Sequence, residues 1–228
     1  MVCCIICPPL NSNYNVGVDF SIIPLSTQST KIQTIAWDTE GTKRRILEAA
    51  MAEFARFGPD GTTVEHIAKS ANVNKERIYN YFGDKQALFS AVLRCELAKV
   101  AQAMPVSSFA VEDIGEYAGR AYDYHRQHPE LSRLMRWEGL TFDSEVPDEQ
   151  LRREYYGYKV QAMAEGQRQG AVSIALEADH LIFLVLALAG WWSAVPQVAR
   201  MLTGPESEQE HARRRASVVK AARRLAGA

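Results

Sequence analysis

The chain has 228 residues, 47% of them hydrophobic and 23% charged, and a formal net charge of −1. That make-up suits one or two globular domains and excludes a strongly basic protein that coats nucleic acid without selection. The charge is uneven, with eight Lys or Arg against six Asp or Glu between Thr42 and Ser90 and an acidic surplus elsewhere, which fits a segment making a few phosphate contacts beside a neutral or acidic body.

Residues 1–38 scatter Pro, Ser, Thr and Asn among apolar residues without a helical period. They read as a flexible or disordered leader, or as translation from a start codon assigned too far upstream. Cys3, Cys4 and Cys7 lie there and Cys95 stands apart, so no disulfide scaffold is expected. A zinc site lacks a fourth ligand, because no histidine precedes His66. No Lys or Arg precedes the short apolar run, which makes it a poor secretory signal and leaves the cytoplasm as the expected location. Neither a metal nor a cofactor is expected.

The first clear element is a helix from Thr42 to Phe57, where Ile46, Leu47, Ala50, Met51, Phe54 and Phe57 recur at three- and four-residue spacing until Gly58-Pro59 stops them. Lys43, Arg44 and Arg45 at its start meet either DNA backbone or water. Arg44 is the candidate phosphate contact of the three.

Thr62 to Leu88 then packs two short helical patterns, a tight turn and a third helix start into a span too small to be a domain alone. Thr62 with Glu65 three positions on reads as a capping box, and Val64, Ile67 and Ala68 share one face. Asn72 tolerates a left-handed backbone and Val73 plugs the turn. Asn74 is placed to cap a second helix whose inner face is Ile78 and Phe82, leaving Lys75, Glu76, Arg77, Tyr79, Asn80 and Tyr81 pointing elsewhere. Arg and Lys pair with guanine edges, Asn with adenine, and Tyr with phosphate, so this face suits a major-groove reader. Asp84 can cap the next helix, with Lys85 beside N–H groups that attract anions. The alternative is a helical hairpin whose polar face meets only water.

TKRRILEAAMAEFARFG followed by TTVEHIAKSANVNKERIYNYFGDKQALFSAVL, from about Thr42 to Leu93, resembles the DNA-binding domain of the TetR family of bacterial transcriptional regulators. The I-Y-x-Y-F-x-x-K-x-x-L-F portion carries most of that likeness. The resemblance implies phosphate contacts from Thr62 or Thr63, Tyr79, Tyr81 and Lys85, and base-edge contacts from Lys75, Glu76, Arg77 and Asn80. Glu76 stands where the family usually has a small residue and Arg77 where it has Thr or Ser. Glutamate accepts from cytosine but is repelled by phosphate, which favours Arg77 for direct readout.

Beyond Asp84 the pattern stays helical, with Pro105, Pro129, Pro147, Gly170 and Gly204-Pro205 punctuating segments at about 84–104, 109–127, 129–140, 148–169, 178–202 and 206–225. The expectation is an all-α chain of about nine helices: a helix-turn-helix domain over 39–88 and a larger ligand-binding and dimerisation domain over 89–228. Leu181 to Ala199 carries no charged residue, long enough to test as a membrane span. Pro196, and the lack of a second such segment, favour instead a core or intersubunit helix.

In the TetR-like reading the last two long helices of each chain form a four-helix interface with a twin, through Ala187, Gly190 and Trp191 on one and Val218, Val219 and Ala222 on the other. Two heads about 34 Å or a multiple apart then read a palindrome on double-stranded DNA. A small-molecule effector releases them by preferring one spacing of the heads. Tyr124, Trp137, Tyr156 and Trp191 are candidate pocket residues, though aromatics at this spacing are as readily plain core. His125 and His128 lack the Glu of a zinc-protease motif, Asp143 and Glu145 define no substrate site, and no nucleophile elbow or phosphate loop occurs, so no enzyme is expected. The reading is a homodimeric, ligand-released repressor. A regulator that activates or needs no ligand, and a membrane-associated or enzymatic helical protein, are the alternatives.

Overall fold

The computed structural model describes residues 29–110, 112–142 and 146–227. Residues 1–28, with their three cysteines, lie outside the described residues, as do Asp143 and Glu145. Among the described residues there are ten α-helices and no strand, in the order α1(Ser29–Gly61), α2(Val64–Ser70), α3(Lys75–Phe82), α4(Lys85–Ala103), α5(Ile114–Gln127), α6(Pro129–Thr141), α7(Glu149–Arg168), α8(Ala178–Ala194), α9(Pro196–Thr203) and α10(Glu208–Leu225).

Two boundaries differ from the sequence expectation. The first helix begins at Ser29 rather than Thr42; no proline interrupts the chain between Pro24 and Pro59, and extending a helix costs far less than starting one. The run expected as one helix from Ala178 to Leu202 is two, bent by 86° at Val195. Pro196 has no N–H for the helical ladder and pushes the residue before it out of the helical region, and Val195 accordingly has φ −130° and ψ 61°. No single helix among the described residues is long and apolar enough to cross a membrane; α8 and α9 pass that test only as a bent pair.

The helices enclose two cores. The first joins α1 to α4, with Ile46, Phe54, Ile67, Ile78, Leu88 and Phe89 all fully buried. Phe54 and Phe89 meet edge to face, 5.3 Å between ring centres, the arrangement that aromatic quadrupoles favour. The second core lies in the body, around Tyr117, Met163, Leu181, Val185 and Ala222. There α10 lies close against α5, because a Cβ on Gly115 or Gly119 would stand within 3 Å of the Val219 carbonyl oxygen or side chain. Charge follows the same seam: Arg215 pairs with Asp123 at 2.7 Å and Arg223 with Asp113 at 2.8 Å. The arginines on this side of the last helix are thus answered by acids of its own chain.

Head and body share one joint. Leu134 of α6 is fully buried in the head core, and Trp137 packs on it from the same helix. α1 breaks at Gly58, with φ 76° and ψ 169°, and the Trp137 ring lies 2.8 to 2.9 Å from where a Cβ at position 58 would stand. Gly58→Ala therefore meets both a left-handed backbone and a clash with an indole, and should cost at least about 2 kcal/mol in urea unfolding. In a Trp137→Ala background the added cost should shrink toward that of the backbone alone.

Candidate nucleic-acid interface

Glu53 of α1 helps to hold the ends of the short helix α2. Its carboxylate accepts from the Thr62 hydroxyl at 3.2 Å and from the Ser70 hydroxyl at 3.3 Å, so one side chain ties down both ends of α2. This corrects the capping assignment. Thr62 is 1% exposed and turned inward onto Glu53; the cap is Thr63, whose hydroxyl accepts from the His66 N–H at 3.2 Å. Thr62, one of the two threonines expected at a phosphate, thus has its side chain turned away from the surface, while Thr63 is exposed. Glu53 escaped the sequence reading because a glutamate in an amphipathic helix looks like one more solvated residue.

The turn has the form expected. Asn72 adopts φ 53°, and the Val73 N–H donates back to the Ala68 carbonyl at 3.0 Å. Asn74 has the extended backbone of a cap, but its side chain makes no capping bond. On α3, Ile78 is fully buried, while Lys75, Glu76, Arg77, Tyr79 and Asn80 are exposed. Lys75 reaches back to Glu65 of α2 at 3.3 Å. The backbone N–H at the start of α2 and the Lys75 ammonium hold the Glu65 carboxyl below its usual range, and Glu65 in turn raises the lysine. Lys75 is thus held by an internal partner, whereas Arg77 forms no ion pair among the described residues.

Tyr81 is half-buried. Its ring sits edge to face with Phe82, and the Lys43 ammonium lies 5.6 Å from its centre. Arg44, the cation singled out from sequence, is exposed and only loosely paired with Glu48 at 4.0 Å. At the start of α4, Asp84 accepts from the Ala87 N–H at 2.7 Å, as its spacing predicts. The Lys85 ammonium donates to the Thr62 carbonyl at 3.3 Å. That bond draws the start of α4 toward the start of α2, so that Lys85 and two helix N-termini gather on one edge, an arrangement that attracts a phosphate.

The body residues are less convergent. Val218, Val219 and Ala222 do not face a partner: they are buried in their own chain against α5 and α8, since the close approach at Gly115 and Gly119 draws that face of α10 inward. Gly190 likewise faces inward, where a Cβ would stand 3.3 Å from Nε2 of His125. Ala187 and Trp191 are exposed, Trp191 by 64%. Phe183, Leu184, Met201 and Leu202 join them on the outer surface of α8 and α9, a patch the sequence reading missed because it treated the whole segment as uniformly apolar. The four pocket candidates also separate: Trp137 belongs to the head core, Tyr124 packs at the edge of the body core, and Tyr156 and Trp191 are exposed. His125 and His128 part company too, His125 meeting the Ser132 hydroxyl at 3.2 Å while His128 stacks on Tyr124.

Comparison with known proteins adds independent findings. Residues 46–92 match the model of bacterial regulatory proteins of the tetR family, and residues 113–224 match the tetracyclin repressor-like C-terminal domain. The chain is 43% identical over 191 residues to the HTH-type transcriptional repressor SCO4008 of Streptomyces coelicolor, across 83% of this chain and 97% of that one. It is 30% identical to the HTH-type transcriptional regulator RutR of Escherichia coli, across 74% and 81% respectively. The solved structure of SCO4942 from Streptomyces coelicolor superposes with a TM-score of 0.70 at 30% identity, covering 81% of this chain and 97% of that one.

Thr63→Ala should remove the α2 cap and lower stability by about 1 kcal/mol. Chemical denaturation of the two proteins side by side measures it.

Proposed function

We propose, because the chain belongs to the TetR family of bacterial transcriptional regulators, that it is a homodimeric repressor which binds a palindromic operator and leaves it when a small molecule binds the body. The carrying observation is α3, a helix with a single fully buried side chain and an outward face of Lys75, Glu76, Arg77, Tyr79 and Asn80. Side chains of these types, set on a helix that protrudes from a rigid three-helix support, match the donor and acceptor pattern of major-groove base edges. The repressor sense follows the similarity to SCO4008, a repressor by name. In this reading the protein works in the cytoplasm beside the chromosome, and no catalytic role is assigned to it.

Roles divide by geometry. Thr63, Tyr79, Tyr81, Lys85 and Arg44 hold the DNA backbone, with Lys85 the strongest of them because it shares its edge with the N-terminus of α4. Arg77 reads a base, being exposed and free of an ion pair among the described residues, and Asn80 reads beside it. Lys75 and Glu76 contribute less, Lys75 because Glu65 competes for it. The second copy of the chain docks on the outer surface of α8 and α9, where Phe183 is 70% and Leu202 80% exposed. Apolar area of that kind is costly to leave in water, and one short recognition helix meets too few base pairs to select a site alone.

Lys85→Ala should weaken binding to every duplex alike and lower the slope of log affinity against log salt by about one. Arg77→Ala should instead relax preference at one base-pair position in each half-site, at about 1 to 3 kcal/mol of discrimination; equal losses on all sequences would remove it from the reading face. Phe183→Glu combined with Trp191→Glu should yield a folded monomer by sedimentation, with operator affinity down at least about tenfold.

A further inference from the structure

Lys69, Lys75, Arg77 and Lys85 are the cations between Thr62 and Leu88, and among the described residues only Lys75 stands in an ion pair, its ammonium 3.3 Å from the Glu65 carboxylate. Lys43 with Glu40 and Arg153 with Glu149 sit one turn apart on a single helix. Glu65 and Lys75 instead belong to different helices and meet only once the turn at Asn72 has set α3 against α2. Both side chains are about half exposed, Lys75 at 49% and Glu65 at 59%. An exposed pair contributes at most about 1 kcal/mol to stability, and the hairpin is already held by Val64, Ile67, Ala68 and Ile78 in the head core.

Both groups stay ionised at neutral pH. The backbone N–H at the start of α2 and Lys75 hold the carboxyl below its ordinary range, and Glu65 raises the ammonium. The place of that carboxylate is unfavourable for DNA binding. Glu65 lies in the first turn of α2, three residues beyond Thr62, whose carbonyl anchors Lys85 at 3.3 Å. A negative charge there stands on the edge that helix N-termini and Lys85 make attractive to phosphate. Glu76, in the first turn of α3, adds a second negative field at Lys75. A carboxylate that does little for the fold and opposes phosphate has one effect left, which is to take a cation out of the set available to DNA.

We propose that Glu65 is a specificity-determining residue: by holding Lys75 it lowers the affinity of the head for DNA of arbitrary sequence more than its affinity for the operator. The inference rests on α3 as the reader of that operator. Binding without sequence preference is almost wholly electrostatic and lets the protein slide along the duplex, so any free ammonium finds a phosphate and strengthens it. A complex registered by base contacts from Arg77 and Asn80 fixes where the start of α3 lies, and there a freed Lys75 gains only what that one position offers. Discrimination is a ratio of two affinities, and it rises when the unwanted one is weakened.

Fluorescence anisotropy of the full chain over a salt series tests this, with a labelled duplex of random sequence and with the inverted repeat that the chain selects from a random library. The unsubstituted protein is compared with Glu65→Gln, Lys75→Met and the double variant. On the random duplex Glu65→Gln should bind about threefold or more tightly at low salt, and its slope of log affinity against log salt should steepen by about 0.9 for each head engaged, the contribution of one further phosphate neutralised. The selected repeat should gain less, so that the ratio of the two affinities falls at least about twofold. In the Lys75→Met background Glu65→Gln should leave the slope unchanged, since the same charge is removed with no ammonium to release. Loss of a first-turn carboxylate weakens a helix slightly, and a weakened fold cannot produce tighter binding. An unchanged slope in Glu65→Gln, an equal steepening in the Lys75→Met background, or equal gains on both duplexes would overturn the role of Glu65. A chain that prefers no duplex over random DNA contradicts the sequence-reading function itself; a preference in the unsubstituted chain that Glu65→Gln leaves intact contradicts only this role.

Discussion

The recognition helix cannot hold itself in place, and the rest of the molecule follows from that. α3 spans eight residues and buries only Ile78 completely. Complete burial of one isoleucine offsets far less than fixing the backbone of eight residues costs. The deficit is met from outside. Phe54 and Phe89 press edge to face beneath the hairpin, Glu53 secures both ends of α2, and Lys85 ties the start of α4 to the segment that opens α2. The support takes Ile78 and part of Tyr81 and Phe82, and the remaining side chains of α3 are left outside.

The same support connects the head to the body. α6 contributes Leu134 to the head core and lays Trp137 on the kink at Gly58, so a shift of α6 reaches α1 through packed atoms rather than through a flexible linker. Close-packed interfaces change between discrete arrangements instead of yielding gradually. A displacement within the body gains leverage from that, since α5 is locked to α10 through Gly115 and Gly119 and adjoins α6 through the bond from His125 to Ser132. Only a ligand with different affinities for two such arrangements can act through it.

Much of the head was legible in the sequence because its signals are local. Asn72 marked a left-handed turn, Asp84 a cap, and Ile78 an inner face, and each is set by neighbours within four residues. The cap at α2 was missed by one position because Thr62 and Thr63 are chemically equivalent, and only the location of Glu53 decides which turns inward. The body was legible as helices but not as a set of partners. The apolar stripe of Val218, Val219 and Ala222 reports that something covers it, and nothing in a stripe says whether the cover is α5 or a second chain. Lys159 of α7, buried with its ammonium donating to the Tyr117 hydroxyl at 2.8 Å, was invisible for the converse reason: a lysine at helical spacing reads as solvated until the opposite helix is placed over it. Pro196 was noted against a membrane span, yet the right-angle bend it imposes between α8 and α9 splits what the apolar run presented as one helix.

In the proposed function α3 reads DNA sequence and a symmetric dimer presents it twice. The most direct measurement is selection of duplexes from a random library by the full chain at near-physiological salt, followed by sequencing of what is retained. The account predicts an inverted repeat whose half-site centres lie about one helical turn, roughly 34 Å, or a multiple of it apart. Retained duplexes with no sequence preference over the starting library, or with a single unrepeated site, would contradict it.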